Sequence, residues 1–140
     1  MNDNNNTQDI LQRFIFDGTD IRGEIVTLSS SYQALLALQD YPPQVARLFG
    51  EFLVAASLLG SSLKHRGMIT VQARGNGPLS MIMTECTQGK NVRGIVRGDF
   101  DNLDGLSSLH DLLGTKRLFS QLSEKGRQTL PIQAEQGGFI

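Results

Sequence analysis

Three extended segments follow one another between residues 67 and 98, and this stretch constrains the fold more than any other. Apolar and polar residues alternate from Ile69 to Arg74, which predicts a strand with one buried face and one solvated face. Turn residues at 75–78 and 87–91 separate this run from two further extended runs. We therefore predict an antiparallel meander at the centre of the protein.

One long helix is predicted immediately before the meander. Apolar residues recur at helical spacing between Pro43 and Lys64, and a proline in the first turn of a helix removes no hydrogen bond. Two shorter helices are predicted, one that uses the serines at 29–31 as N-caps and one over 106–113. The predicted fold class is α+β: an antiparallel sheet meander packed by one long and two short helices.

Size and charge narrow the classes of function. A chain of 140 residues fits one domain, and a net charge of −1 gives no global reason to bind nucleic acid or an anionic membrane. No apolar run approaches the roughly 20 residues that a membrane span requires. The polar start of the chain does not resemble a secretory signal, so we expect a cytoplasmic protein.

The residue types that perform covalent or metal chemistry are scarce. Cys86 is the single cysteine, and His65 and His110 are the two histidines, which is too few for a disulfide or a four-ligand zinc site. We interpret Cys86 as a small buried residue, His65 as a cation at a helix C-terminus and His110 as a surface residue. No catalytic residue, metal ligand or cofactor is predicted, and we expect that the protein is not an enzyme.

Three local patterns could indicate a binding site, but each is better explained by its place in the fold. The acidic loop at 99–105 lacks the spacing of a calcium loop, and the glycine-rich turn at 75–78 precedes a strand rather than a phosphate-binding helix. Arg22 and Arg93 each precede a glycine in a strand, which we interpret as two strands that play similar parts in one sheet. Gly23 is expected to mark a bulge or a close-approach point in its strand.

A family resemblance is carried by the segments VQARGNGPLSMIM and NVRGIVRG, by IRGEIV upstream and by PPQVARLFGEFLVAASLLGSSLKHRGMITVQ between them. Over roughly residues 14–114, the chain resembles the heat shock protein 33 family. The family consists of redox-regulated bacterial chaperones that hold unfolded clients without ATP, act as dimers and carry a C-terminal zinc domain. Nothing in this sequence matches that zinc domain. The resemblance therefore implies a truncated N-terminal substrate-binding domain at 10–114, after a disordered arm at 1–9 and before a divergent tail at 115–140 with uncertain strand pairing.

Client binding is implied by the resemblance and not by composition or spacing. The residues that we expect to contact unfolded proteins are flexible methionines of the meander and aromatic residues of the long helix stripe: Met68, Met81, Met83, Phe49 and Phe52. Without the zinc domain, binding is expected to be constitutive and insensitive to redox state. The partners are unfolded clients and a second copy of the chain in a homodimer, for which domain swapping through an unpaired sheet edge is one route.

Two alternative functions belong to other classes of protein. The chain is an inactive structural or dimerisation fragment if the client surface lies in the part of the family domain that it lacks. It is a small-molecule enzyme if Arg22, Arg93 and Arg97 converge around an anionic substrate, which requires a pocket where these side chains meet.

Overall fold

The computed structural model describes residues 8–62, 67–87, 91–124, 127–128 and 132–134. Strands and helices follow one another along the chain as β1 (Ile10–Ile15), β2 (Arg22–Thr27), α1 (Ser30–Leu38), α2 (Pro43–Ser62), β3 (Gly67–Gly75), β4 (Leu79–Thr87), β5 (Asn91–Gly98), α3 (Leu109–Leu113), β6 (Lys116–Glu124), β7 (Arg127–Gln128) and β8 (Ile132–Ala134).

The strands form two antiparallel sheets. A six-stranded sheet has the order β5-β4-β3-β6-β7, with β8 also paired to β6, and β1 pairs with β2 in a separate hairpin. The predicted meander and the α+β class with one long and two short helices are confirmed. The prediction that the strands of Arg22 and Arg93 share one sheet is wrong, because β2 belongs to the hairpin and β5 to the large sheet.

The hydrophobic core lies between α2 and one face of the large sheet. Alternate side chains of β3 and β4 point towards the helix, and the Thr84 hydroxyl donates a hydrogen bond to the Phe52 carbonyl at 3.1 Å. Aliphatic residues dominate this core, as the absence of tryptophan predicts: Val45, Leu48, Phe49, Phe52, Leu53, Ala56, Ile69, Val71, Ala73, Leu79, Ile82, Cys86, Val96, Leu103, Leu112, Leu113 and Leu118 are buried.

By length and composition alone, helix α2 could cross a membrane: it has 20 residues, and an 18-residue window within it has a mean hydropathy of 1.3. The sequence-based statement that no run approaches this length therefore does not hold for α2. Its apolar stripe packs against the sheet, and seven of its residues are buried there: Val45, Leu48, Phe49, Phe52, Leu53, Ala56 and Ser57. We therefore interpret α2 as the core helix of the domain.

The N-terminus of α1 is capped from outside its own sequence. Ser29, the N-cap residue, makes no side-chain capping bond. Instead, Asp9 Oδ1 accepts hydrogen bonds from the backbone N–H groups of Ser29, at 2.8 Å, and Ser31, at 3.2 Å. The predicted capping by serine hydroxyls is therefore wrong. Asp9 is held to the fold although we placed it in a disordered arm, the rest of which lies outside the described residues except for Gln8.

Asp9→Asn is expected to lower the free energy of unfolding at pH 7 by about 0.5 kcal/mol, because the amide oxygen can still accept the capping hydrogen bonds while the negative charge at the N-terminus of α1 is lost. Partial burial raises the pKa of the Asp9 carboxyl, but hydrogen bonds from Ser31, Ser29 and Ser30 together hold this pKa below its usual value. Because the pKa is lowered in the folded state, the stabilisation is present above the unfolded pKa and is lost as the pH falls through the folded one. Thermal unfolding followed by circular dichroism measures the stability at pH 7, where the Asp9 carboxyl is charged, and at about pH 2, where it is largely protonated.

The matched control for this prediction is Asp17→Asn, which removes the same charge from the exposed turn between β1 and β2. A difference between wild type and Asp9→Asn that persists at the acidic pH would contradict the role of the charged carboxylate.

Strand β6 makes the tail part of the large sheet. It pairs with β3 from Lys116↔Gly75 to Glu124↔Gly67, and Leu118 is buried under the core while Ser120 and Leu122 share its face. The pairing that we left uncertain for 115–140 is therefore regular as far as residue 124, and the short strands β7 and β8 continue the sheet. A polar serine between two leucines weakens the alternation that would have predicted this strand.

The turn between β3 and β4 is bound to the C-terminus of α3. The Gly77 N–H donates to the Leu113 carbonyl at 2.9 Å, and Asn76 Oδ1 accepts from the Thr115 N–H at 2.9 Å. The hairpin interpretation of this turn is confirmed, and its backbone groups are used within the protein. Helix α3 itself begins with a capping box formed by Ser108 and Asp111, and hydrogen bonds from Ser108 lower the pKa of the Asp111 carboxyl.

Candidate functional site: the outer face of the large sheet

The face of the large sheet that points away from α2 is called the outer face here, and it is formed by alternate residues of β3, β4, β5 and β6. Because side chains alternate along a strand, every inward residue of the core is followed by an outward one. Met83 of β4 lies opposite Ile95 of β5 and Gln72 of β3, and Gln72 lies opposite Phe119 of β6. These register pairs form one row across four strands, with three apolar side chains and the polar Gln72 between Met83 and Phe119; it is called the apolar row below.

The three methionines that we predicted as client contacts all lie on the outer face. Met83 is central, Met81 lies two residues away on the same strand, and Met68 lies on β3. All three side chains are half-buried by their neighbours rather than by another layer. The outer face therefore combines flexible thioethers with the side chains of Ile95 and Phe119.

Phe49 and Phe52 lie elsewhere. Their side chains are only 1% and 8% exposed, because both occupy the α2 stripe that packs on the inner face of the sheet. Phe49 has almost no surface that a client could reach while the domain is folded, and the small exposed part of Phe52 lines a cleft between α2 and β6 and is not on the outer face. We therefore do not include Phe49 and Phe52 in the candidate site.

Sequence reasoning missed Ile95 and Phe119 as members of the outer face. Ile95 sits between the inward residues Gly94 and Val96, and Phe119 follows the buried Leu118. In each strand an apolar residue occupies a position where the alternation calls for a polar one. That departure from period two is the signal that could have found them.

The two ends of the outer face differ in charge. At one end Arg93 forms an ion pair and hydrogen bond with Glu85, a carboxylate that is itself largely buried, and Arg93 also contacts the Met68 sulfur at 3.9 Å. At the other end the row Arg97, Met81, Arg74 and Arg117 crosses four strands. None of these three arginines has a carboxylate within ion-pair distance among the described residues.

The arginines proposed for a small-molecule enzyme do not converge. Arg22 lies on the separate hairpin, Arg93 is neutralised by Glu85, and Arg97 lies at the other end of the outer face. The exposed outer face is not a pocket, so the requirement of that alternative is not met within the described chain.

The remaining candidate chemical groups that the structure describes, Cys86 and His110, lie on different elements and differ in exposure. Cys86 is fully buried in β4, as predicted, whereas His110 is exposed on α3, and His65 lies outside the described residues. In the acidic loop, Leu103 is buried and the Phe100 ring packs on Tyr41 with centroids 5.6 Å apart. In the part of the chain that the structure describes, no group of three or more His, Cys, Asp and Glu side chains could hold a metal ion.

A cleft of ≈ 500 Å³ lies between α2 and β6. Apolar side chains line most of it, among them Phe52, Leu59 and Leu118, and the ion pair between Arg47 and Glu51, at 3.5 Å, also lines it. The cleft brings together no catalytic or ligand set of residues that would indicate a small-molecule site.

Comparison with known proteins identifies the family. The family model described as Hsp33 protein matches residues 9–134 of this chain. The chain belongs to the Hsp33 family. The resemblance stated from the sequence is therefore confirmed, and the family match extends beyond residue 114 to include β6, β7 and β8.

Individual relatives agree with this assignment. The 33 kDa chaperonin of Ectopseudomonas mendocina is 46% identical over 105 residues, which cover 75% of this chain and 36% of the relative. The 33 kDa chaperonin of Vibrio cholerae is 40% identical over 128 residues, which cover 91% of this chain and 40% of the relative. The chain thus spans well under half the length of the Hsp33 relatives that it matches.

The fold also matches a solved member of the family. The crystal structure of the 33 kDa chaperonin from Thermotoga maritima aligns with a TM-score of 0.76 at 18% sequence identity. The alignment covers 89% of this chain and 44% of that one. The arrangement of sheet and helices described above is therefore an Hsp33 fold.

Proposed function

We propose that this chain is a client-binding chaperone domain of the cytoplasm that holds unfolding proteins on the outer face without ATP. The observation that carries the proposal is the apolar row of Met83, Ile95 and Phe119 on a sheet face whose opposite side packs the core. An unfolded segment gains binding free energy by removing such apolar surface from water. Methionine side chains adapt to segments of different shape, which suits binding without sequence preference.

Binding in this chain is proposed to be constitutive. The described residues offer no metal site, and the single cysteine is buried, so the residues present do not fit the zinc switch that full-length members of the family carry. We therefore propose that client binding by this chain does not depend on a redox switch.

The experiment that tests the proposal is light scattering from a heat-unfolding client, titrated with this chain in reductant and a metal chelator. Suppression near stoichiometric amounts, equal with and without reductant, is the expected result. A requirement for peroxide would contradict constitutive binding. Absence of suppression by a chain shown to be folded by circular dichroism would instead favour an inactive structural fragment.

Met83→Ser is expected to raise the amount of chain needed for half-maximal suppression by about tenfold, because a buried methionine side chain contributes roughly 1.5–3 kcal/mol. Met83→Leu keeps an apolar side chain of similar volume and is expected to retain suppression. Leu38→Ser is the matched control, since Leu38 lies on α1, away from the outer face, and is 81% exposed. Equal activity of Met83→Ser and Leu38→Ser would locate client binding elsewhere.

We also propose that the chain forms a homodimer. Exposed apolar residues cluster on the β1–β2 hairpin, among them Ile15, Phe16, Ile21 and Ile25, and a two-stranded hairpin with such a surface gains stability from a further layer. Sedimentation equilibrium of the same sample measures the mass. A monomer at the concentrations used for client binding would contradict this part of the proposal.

A further inference from the structure

One end of the outer face carries a row of arginines that nothing in the described chain neutralises. Arg97, Arg74 and Arg117 belong to one transverse row of the sheet, in which Arg74 and Arg117 lie directly opposite each other on β3 and β6. All three residues are exposed. Like charges in directly opposed positions destabilise a sheet, so this arrangement has a cost that an anion would relieve.

Arg74 is held in place next to the apolar row. With the Gln72 amide turned so that its oxygen faces Arg74, the Arg74 Nε donates to Gln72 Oε1 at 2.6 Å. Gln72 is itself the residue between Met83 and Phe119. Met81, on the other side, lies between Arg97 and Arg74. At this end of the outer face, guanidinium groups therefore lie next to apolar side chains on the same strand or on the neighbouring strand.

The other end of the same face provides an internal comparison. Arg93 is paired with Glu85, so that end presents little net charge to a partner. The charge of the outer face is thus concentrated in one row, although the whole chain carries a net charge of only −1.

We propose that the arginine row, Arg74, Arg97 and Arg117, selects client segments in which acidic residues flank apolar ones. Carboxylates of the segment accept charge-assisted hydrogen bonds from the guanidinium groups, while the neighbouring apolar side chains lie on Met81, Met83 and Phe119. Arginine suits this role because it binds carboxylates through two parallel N–H groups. The inference rests on the proposed function, and it adds a preference in charge to a surface otherwise without sequence preference.

The test uses fluorescence anisotropy of the full chain with two labelled peptides that share the same leucine, phenylalanine and valine residues. Glutamates flank the apolar residues in one peptide and glutamines in the other. Tighter binding of the glutamate peptide by about fivefold is expected, and the difference should shrink when NaCl rises from about 0.05 M to about 0.3 M.

The variant Arg97→Gln/Arg117→Gln is expected to bind both peptides equally. Its matched control, Arg22→Gln/Arg47→Gln, changes the net charge by the same amount at exposed residues outside the outer face and should keep the preference. Circular dichroism confirms that each variant is folded.

The outcomes separate this inference from the proposed function. Equal binding of both peptides by the wild type would overturn the charge preference and leave client holding intact. Binding of neither peptide would overturn both. Loss of the preference in the control variant would also overturn it, because the effect would then follow net charge and not the arginine row. Tight binding of a polyphosphate or RNA with no preference between the peptides would overturn the assignment of the row to polypeptide segments.

Discussion

Phe49→Ala is expected to lower the free energy of unfolding by about 3–5 kcal/mol, which is a large part of the stability of a single domain. Phe49 is 1% exposed, and its ring packs edge-on against Tyr41 with centroids 5.4 Å apart. The same ring lies against Gly94 of β5, which has no side chain to fill the space that alanine would leave. Urea unfolding followed by circular dichroism measures the loss.

The control for this prediction is Leu38→Ala, which removes a comparable apolar side chain from an exposed position on α1 and should change stability by less than about 0.5 kcal/mol. The comparison also decides the role of Phe49. A variant that keeps full stability but fails to suppress client aggregation would make Phe49 a client contact after all.

Gly75→Ala is expected to destabilise the protein by at least about 3 kcal/mol. A Cβ at this position would overlap the backbone carbonyl oxygen of Leu113, and a backbone atom cannot move aside as a flexible side chain can. Relief of the overlap requires the β3–β4 turn to leave α3, which breaks the hydrogen bonds of Gly77 with Leu113 and of Asn76 with Thr115. The same urea experiment gives the change in unfolding free energy.

Gly18→Ala is the matched substitution. A Cβ at Gly18 meets no atom within 4 Å, so its cost comes from a φ of +73° alone and is expected to be about 1 kcal/mol. If Gly75→Ala and Gly18→Ala lowered the free energy of unfolding by the same amount, the contact between the β3–β4 turn and α3 would contribute nothing to stability.

Local patterns were sufficient for the elements that are defined by their own residues. The spacing of apolar residues and Pro43 predicted a helix over 43–64, and α2 runs from Pro43 to Ser62, with the following four residues outside the described chain. Alternation and turn residues predicted β3, β4 and β5 in the order in which they pair. In both cases the signal is a residue pattern within each element together with the turn residues beside it.

Contacts between distant residues could not be predicted in this way. Asp9 caps a helix that begins 21 positions later, at Ser30, and no local pattern connects the two. The arginine row depends on the register between β3 and β6, which only the folded sheet establishes. Phe49 and Met83 both belong to apolar runs, and only the packing of α2 on one face of the sheet decides that the first is buried and the second is not.

The position of β3 in the sheet has a consequence for the order of folding. β4 follows β3 directly in the chain, whereas β6 is reached only after β5, the acidic loop and α3. Since short loops close at a lower entropic cost than long ones, we expect the β3–β4–β5 meander to pair first and β6 to dock last. Until then one edge of β3 presents unpaired N–H and C=O groups to any other extended chain. Before β6 docks, the partly folded chain is therefore expected to expose the same kind of open strand edge by which unfolded proteins aggregate.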